Sequence, residues 1–410
     1  MVTDAESSWE PAYARRMEGM KASEIRELLK LLEQPGIISF AGGIPDPKLF
    51  PAEAAAKAYA AALSGSVQAS GALQYSVSEG YGPLTAWIAS QMKAEGVPAT
   101  SENIVMTAGS QQALDFLGKL LLSPGDTALV TAPTYLGALQ AFSAYEPRYD
   151  TIRPEDGNRT PAAYAEAAAA ASTPGARVKL IYAVPDFANP TGETLSLAAR
   201  QRLVQLARDL DAPLLEDSAY RALRFEGAAL PSLQALDVAQ TGSLETSRVV
   251  YLGTFSKTVA PGLRVGWICA SRAMIRRLVL IKQASDLNLS VINQMVMFEL
   301  AREGLETLIP RARDHYRVKR DAMLAALAAH MPADVRWSRP EGGLFVWVTL
   351  PAGVNGADLL KRAVEQVKVA FVPGGAFFAD HSGANTIRLS YSLPEPGDIA
   401  EGVRRLASLL

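Results

Sequence analysis

A single lysine stands where an apolar strand runs out. Val249 to Leu252 reads as a β-run, Gly253-Thr-Phe-Ser-Lys-Thr258 follows, and Arg264 comes a few residues later in the same loop. An amine in that place is partly withdrawn from water, which lowers its pKa and leaves it able to attack an aldehyde as a Schiff-base lysine. Thr254, Ser256 and Arg264 add hydroxyls and a fixed cation, the set that holds a phosphate ester. The alternative is a strand end with a surface Lys257 and an incidental arginine. Four other stretches carry related chemistry. Glu102 to Phe116 reads as a strand, a Gly-Ser turn and a helix, so Ser110, Gln111 and the first helical amides aim at one spot that suits an anion. An ordinary serine N-cap explains the same letters equally well. A strand from Leu180 to Val184 leads to Asn189-Pro-Thr-Gly192, which is a ligand-facing asparagine or a plain turn. Ala212 to Phe225 delivers Glu216 and Asp217 at the C-terminal end of a short apolar strand, where ligands of open α/β sheets bind. The alternative there is an acid capping a helix. Arg388 lies on the strand Asn385 to Ser392 and needs a partner for its fork, either a bound carboxylate or a structural acid.

In this order the stretches resemble the fold-type-I pyridoxal-phosphate aminotransferases, over roughly Ser23 to Ser392. The resemblance is greatest to the subgroup containing 2-aminoadipate, kynurenine and aromatic aminotransferases. An amine beside a phosphate site suits that cofactor. The resemblance implies catalytic roles for Lys257, Asp217 and Tyr220. Lys257 carries pyridoxal 5'-phosphate and then acts as general base on the substrate Cα, and Asp217 keeps the ring nitrogen protonated. It further implies that Tyr220 and Asn189 meet the phenolate oxygen and that Tyr135 stacks on the ring. Ser110, Gln111, Thr254, Ser256 and Arg264 then hold the phosphate. Tyr75 matches a tyrosine that reaches the phosphate of a neighbouring subunit, which implies a homodimer. On the substrate side, Arg388 takes the α-carboxylate with Gly43 and Asn189 beside it. Arg26, within Ile25-Arg-Glu-Leu-Leu-Lys30, reads the distal carboxylate of an acidic substrate from a short helix able to move as a lid. The family often has a second acid where this chain has Ser218. The implied activity moves an amino group between an amino acid (2-aminoadipate, aromatic or branched aliphatic) and 2-oxoglutarate or another 2-oxo acid. The same parts serve a β-lyase, decarboxylase or racemase. A ligand-sensing aminotransferase-like module is a further alternative, disfavoured because only about 22 residues precede Ser23, too few for a helix-turn-helix domain. A serine acyl-enzyme is disfavoured because Thr254 replaces the serine of Ser-x-x-Lys.

The surrounding elements must position these groups. Alternating strands and helices from about Glu102 to Ala270 predict an α/β fold, a mainly parallel sheet sandwiched by helices, joined to a smaller α+β domain. The expected division is a large cofactor-binding domain over 51–290 and a small domain from 1–50 and 291–410, including an N-terminal arm and the helix Ser23 to Glu33. From Arg272 the text is helical, with breaks, to about Met331, and strands follow. The 410 residues carry a formal charge of -2, which gives no footprint for nucleic acid. The single cysteine, Cys269, forms no internal disulfide and lies in an apolar run. The three histidines are scattered, so no metal site is expected. Met1 to Glu6 shows no basic segment leading into an apolar one, and no apolar run approaches the roughly 20 residues that span a bilayer. The expectation is a cytoplasmic protein whose partners are a small amino acid and a 2-oxo acid.

Overall fold

The computed structural model describes residues 9–20, 36–170 and 176–410. The helix predicted from Ser23 to Glu33, and Arg26 with it, lies outside the described residues. The chain enters its fold through a short strand, β1 (Ile38–Ser39). Seven strands then form one sheet: β2 (Ile104–Thr107), β3 (Thr127–Thr131), β4 (Arg148–Ile152), β5 (Val178–Ala183), β6 (Leu214–Asp217), β7 (Val249–Thr254) and β8 (Gly266–Cys269). Their order is β2-β8-β7-β6-β5-β3-β4. The five strands from β3 to β7 pair in parallel, while β8 runs antiparallel between β2 and β7. This is the expected α/β class. The strands β2, β6 and β7 are buried along their whole length, as strands covered on both faces must be.

Helices cover the sheet, and several start on a side chain that satisfies an orphan amide. The Ser196 hydroxyl accepts from the Ala199 N–H at the head of the helix Leu197–Asp209. The helix Leu233–Thr241 is capped by Ser232 and also by Glu216, whose two oxygens accept from the Leu233 and Gln234 N–H groups at 2.9 Å. Glu216, beside Asp217 in sequence, is thus spent on a helix. Burial raises its pKa to about 7 despite those two bonds.

The remaining strands are β9 (Arg336–Trp337), β10 (Phe345–Thr349), β11 (Val369–Ala370), β12 (Val372–Pro373) and β13 (Thr386–Ser390). Four of them form an antiparallel sheet in the order β12-β13-β10-β9, and β11 pairs in parallel with β1. The segment that leads to Gly43 is therefore stitched to the C-terminal part of the chain. One forty-residue helix, Val291–His330, serves both regions. Val296, Met297 and Leu300 pack with Leu84 and Ile88, while Tyr316, Met323 and Leu327 pack with Ile399, Val403 and Leu406. The same helix holds the buried Lys319, which donates to Asp46 Oδ2 at 2.6 Å and to the carbonyls of Ser392 and Leu393. Elements that went unpredicted include β4 and the helices Ser66–Leu73, Leu136–Ser143, Leu233–Thr241, Gly356–Arg362 and Pro396–Ala407. Among the described residues no helix is long and apolar enough to cross a membrane, and no cluster of His, Cys, Asp or Glu could hold a metal ion.

Candidate active site

Three neighbouring parallel strands end at one place. β7 runs into the turn that carries Lys257, β6 ends on Asp217, and β5 leads through Pro185 and Asp186 to Asn189. The antiparallel sheet brings Arg388 from the other side on β13. Lys257 Nζ donates to the Gly43 carbonyl at 3.1 Å and lies 5.9 Å from the centre of the Tyr220 ring. Burial lowers its pKa to about 8, helped by the nearby cations Arg388 and Arg264 and opposed by Asp217. About a tenth of this amine is neutral at pH 7, far more than of an ordinary lysine, and the neutral form is the one that attacks.

Asp217 is 3% exposed. Its Oδ2 accepts from the Tyr182 hydroxyl at 2.9 Å and its Oδ1 from the Ala219 N–H at 3.3 Å. Burial raises its pKa, and the Lys257 amine is the cation that acts against that. A buried carboxylate of this kind is costly without a cationic partner. A protonated ring nitrogen would fit that need.

Arg388 is 2% exposed and in the opposite position. Its Nη1 donates to Asn189 Oδ1 at 2.8 Å and its Nη2 to the Ala41 carbonyl at 2.6 Å, both neutral acceptors. Its Nε is buried without a hydrogen bond. The guanidinium lies between two rings, 4.4 Å from the centre of Phe345 and 5.1 Å from that of Phe377. Burial holds its pKa down to about 10, so it stays charged at neutral pH. Such a cation lacks a carboxylate, and its planar fork suits one.

A phosphate ester has a fitting place beside the lysine. The helix Ser110–Leu121 begins directly after Gly109, whose φ of 81° is open to glycine without strain. A Cβ on Gly109 would stand 2.5 Å from Arg264 Nη2, so glycine is what lets the arginine lie over the helix start. Arg264 Nη2 donates to the Ala108 carbonyl at 2.8 Å and Nη1 to the Pro261 carbonyl at 3.2 Å, and the residue is exposed. Thr254 Oγ1 donates to Ser256 Oγ at 2.9 Å, putting two hydroxyls on the same loop. The Gln111 side chain is turned aside to the Gly137 carbonyl at 2.8 Å, which leaves its position in the first helical turn to contribute a backbone amide. Tyr135 folds its ring over Gly137, where a Cβ would come within 2.5 Å of it. Burial, then Asp217, pushes its hydroxyl up to about 12. Tyr220 packs edge-on to Phe345 with ring centres 5.7 Å apart, and its hydroxyl neighbours Asn189.

The structure thus brings Lys257, Asp217, Tyr220, Tyr135, Asn189, Arg388 and Gly43 to one cleft, with Ser110, Gln111, Thr254, Ser256 and Arg264 along its side. Tyr75 is not brought there within the chain: it is 81% exposed. Sequence reasoning missed Tyr182, Ala41, Phe345 and Phe377. Tyr182 sits in an apolar run and reads as core, and the other three contribute a carbonyl or a ring face, for which no motif exists.

The family described as "Aminotransferase class I and II" matches residues 36–406. A 2-aminoadipate transaminase of Thermus thermophilus is 44% identical over 98% of this chain and 97% of its own length. Aromatic-amino-acid aminotransferase 1 of Thermococcus litoralis is 41% identical over 98% and 94%. Among solved structures, the α-aminoadipate aminotransferase of Thermus thermophilus, complexed with N-(5'-phosphopyridoxyl)-L-leucine, superposes with a TM-score of 0.86. It has 43% identity and 98% coverage of both chains.

The lowered lysine pKa gives a test that needs no turnover. Only the neutral amine attacks an aldehyde, so cofactor-free protein should load pyridoxal phosphate faster as pH rises, about tenfold per unit well below pH 8, and level off above it. Stopped-flow absorbance checks the profile. A plateau reached only near pH 10 would mean that Lys257 is an ordinary solvated amine.

Proposed function

We propose how the residues divide the work in this chain, which belongs to the class I and II aminotransferases and is a pyridoxal-phosphate-dependent enzyme of amino-acid transamination. When bound, pyridoxal phosphate supplies an aldehyde that takes up the amino group and a ring that draws off the electrons left by a broken Cα–H bond. Lys257 Nζ takes the proton from the substrate Cα as general base. Asp217 holds the proton on the ring nitrogen, and Tyr182 fixes the carboxylate in place by donating to Oδ2. Tyr220 and Asn189 donate to the phenolate oxygen. Thr254, Ser256, Arg264 and the head of the helix Ser110–Leu121 bind the phosphate. Tyr135 sets the plane of the ring. Arg388 receives the substrate α-carboxylate, and Asn189 and Ala41 keep its fork oriented. The observation that carries this reading is a low-pKa amine flanked by two buried charges of opposite sign, neither in an ion pair at contact distance among the described residues.

The donors in this proposal are 2-aminoadipate and aromatic or branched aliphatic amino acids, and the acceptor is 2-oxoglutarate or another 2-oxo acid. The names of the two relatives support the acidic and aromatic donors. Arg26 meets the distal carboxylate of the acidic ones. The working unit is a homodimer, in which Tyr75 reaches the phosphate of the neighbouring subunit. Its support is that Tyr75 and three apolar residues near it in sequence, Val67, Leu73 and Val77, are all exposed in the single chain.

Three measurements bear on this. Replacing Asp217 by Asn should cut turnover by about a hundredfold or more with circular dichroism unchanged, and near-normal turnover would take Asp217 out of the mechanism. Sedimentation at assay concentration should find the activity in a dimer, and an active monomer would contradict shared sites. Arg26→Ala should raise KM for 2-oxoglutarate and 2-aminoadipate by roughly ten- to a hundredfold, the worth of one charge-assisted contact, while sparing leucine and phenylalanine. Equal losses on acidic and neutral substrates would show that Arg26 has no part in reading the side chain.

A further inference from the structure

Behind the lysine loop, on the face of β7 and β8 turned away from Arg388, lies a cavity of about 320 Å³. It is walled by the helix Gly82–Ala94, by the residues that follow Asp217 and by the long helix Val291–His330. Its lining shares two residues with the surroundings of Lys257, Thr254 and Ala219, the latter holding Asp217 through its amide. One wall is aromatic. Trp267 lies flat over Gly253, where a Cβ would come within 2.1 Å of the indole. The indole stacks on Tyr251 at 28° and meets Phe255 with ring centres 5.0 Å apart, and Phe255 in turn meets Trp87 at 6.2 Å.

The Trp267 indole N–H and the Ser218 hydroxyl in its walls are sealed within the packing rather than open to the cavity. One cation does open on it. Arg313 donates through Nε to the Ala222 carbonyl at 2.7 Å, and the two terminal nitrogens of its fork have no acceptor among the described residues. Burial and the neighbouring Arg224 both hold this guanidinium below its usual range, the mark of a cation without a counter-ion. The acids nearby are already engaged. Asp186 accepts from Arg200 at 2.7 Å and from Arg224 at 2.9 Å, and Glu95 faces Arg221 at 3.3 Å. A cavity of this kind misses one carboxylate and one apolar body, and its volume is at the small end of the roughly 300–1,000 Å³ of small-molecule sites.

We propose that this cavity is a second binding site, separate from the catalytic cleft, for a small carboxylate with an aromatic or branched apolar body. The carboxylate takes the Arg313 fork, and the body lies on Trp87, Phe255 and Leu305. The proposal does not rest on the choice of transamination substrates.

Equilibrium dialysis of the pyridoxal-phosphate-loaded enzyme against labelled phenylacetate tests it, with saturating 2-oxoglutarate present to compete at Arg388. One phenylacetate should bind per chain and persist under that competition. Arg313→Gln should weaken it at least tenfold, the loss expected for one charge-assisted pair. Leu305→Trp, which fills the cavity without touching its charges, should abolish it, and Arg388→Gln should leave it within about twofold. Absence of binding, displacement by 2-oxoglutarate, loss of binding in Arg388→Gln, or full binding in either cavity variant would each overturn the proposal.

Discussion

Two buried charges that the protein leaves uncompensated govern this structure. Pairing Asp217 with Arg388 would neutralise both and would cost less than the present arrangement. Instead each is held by neutral groups, Tyr182 and the Ala219 amide for the carboxylate, Asn189 and the Ala41 carbonyl for the guanidinium. Those partners orient the charges without cancelling them. The opposing charges of the bound molecules are then worth more than they would be in water, because the surroundings are already arranged to receive them.

Keeping the two charges apart is the work of the two sheets. Asp217 is fixed by a strand in the middle of the seven-stranded sheet, buried on both faces. Arg388 is fixed by the second strand of the four-stranded sheet, clamped between Phe345 and Phe377. The long helix Val291–His330 spans both cores and keeps the sheets at one distance. Lys257 sits between the charges and feels both, the cation pushing its pKa down and the anion pushing it up. Burial decides the balance.

Much of this was legible in the chain. The residues of the lysine loop, the Asp217 strand end, the Asn189 turn and the Arg388 strand all reveal themselves as polar groups at the ends or inside of apolar runs, and each lies where that pattern put it. The alternatives are informative as well. Glu216 and Asp217 are adjacent and chemically alike, yet one caps a helix and the other faces the cleft, because successive side chains of a strand point to opposite faces. What the sequence hid has physical reasons. β4, Arg-Tyr-Asp-Thr-Ile, is an edge strand with half-exposed residues and so lacks the apolar signature of the others. The helix Pro396–Ala407 buries Ile399, Val403 and Leu406 at helical spacing and was readable, but it follows the last strand that carries any candidate site residue. At Gly266 a Cβ would come within 2.9 Å of the Gly109 backbone and the Gly253 carbonyl, a close approach that no local pattern announces. Tyr75 is exposed in a single chain, so its role is a question about two chains rather than one.

The pairing of β1 with β11 sets an order of assembly. The Gly43 carbonyl that receives the Lys257 amine, and the Ala41 carbonyl that steadies Arg388, both follow a strand of two residues whose only ladder partner is Val369–Ala370. A growing chain therefore contains Lys257 and Asp217 long before it contains β11 and β13, and the second buried charge, Arg388, arrives only with β13. Contacts this distant in sequence are slow to form. Until then Lys257 lacks the burial that lowers its pKa and is an ordinary solvated amine.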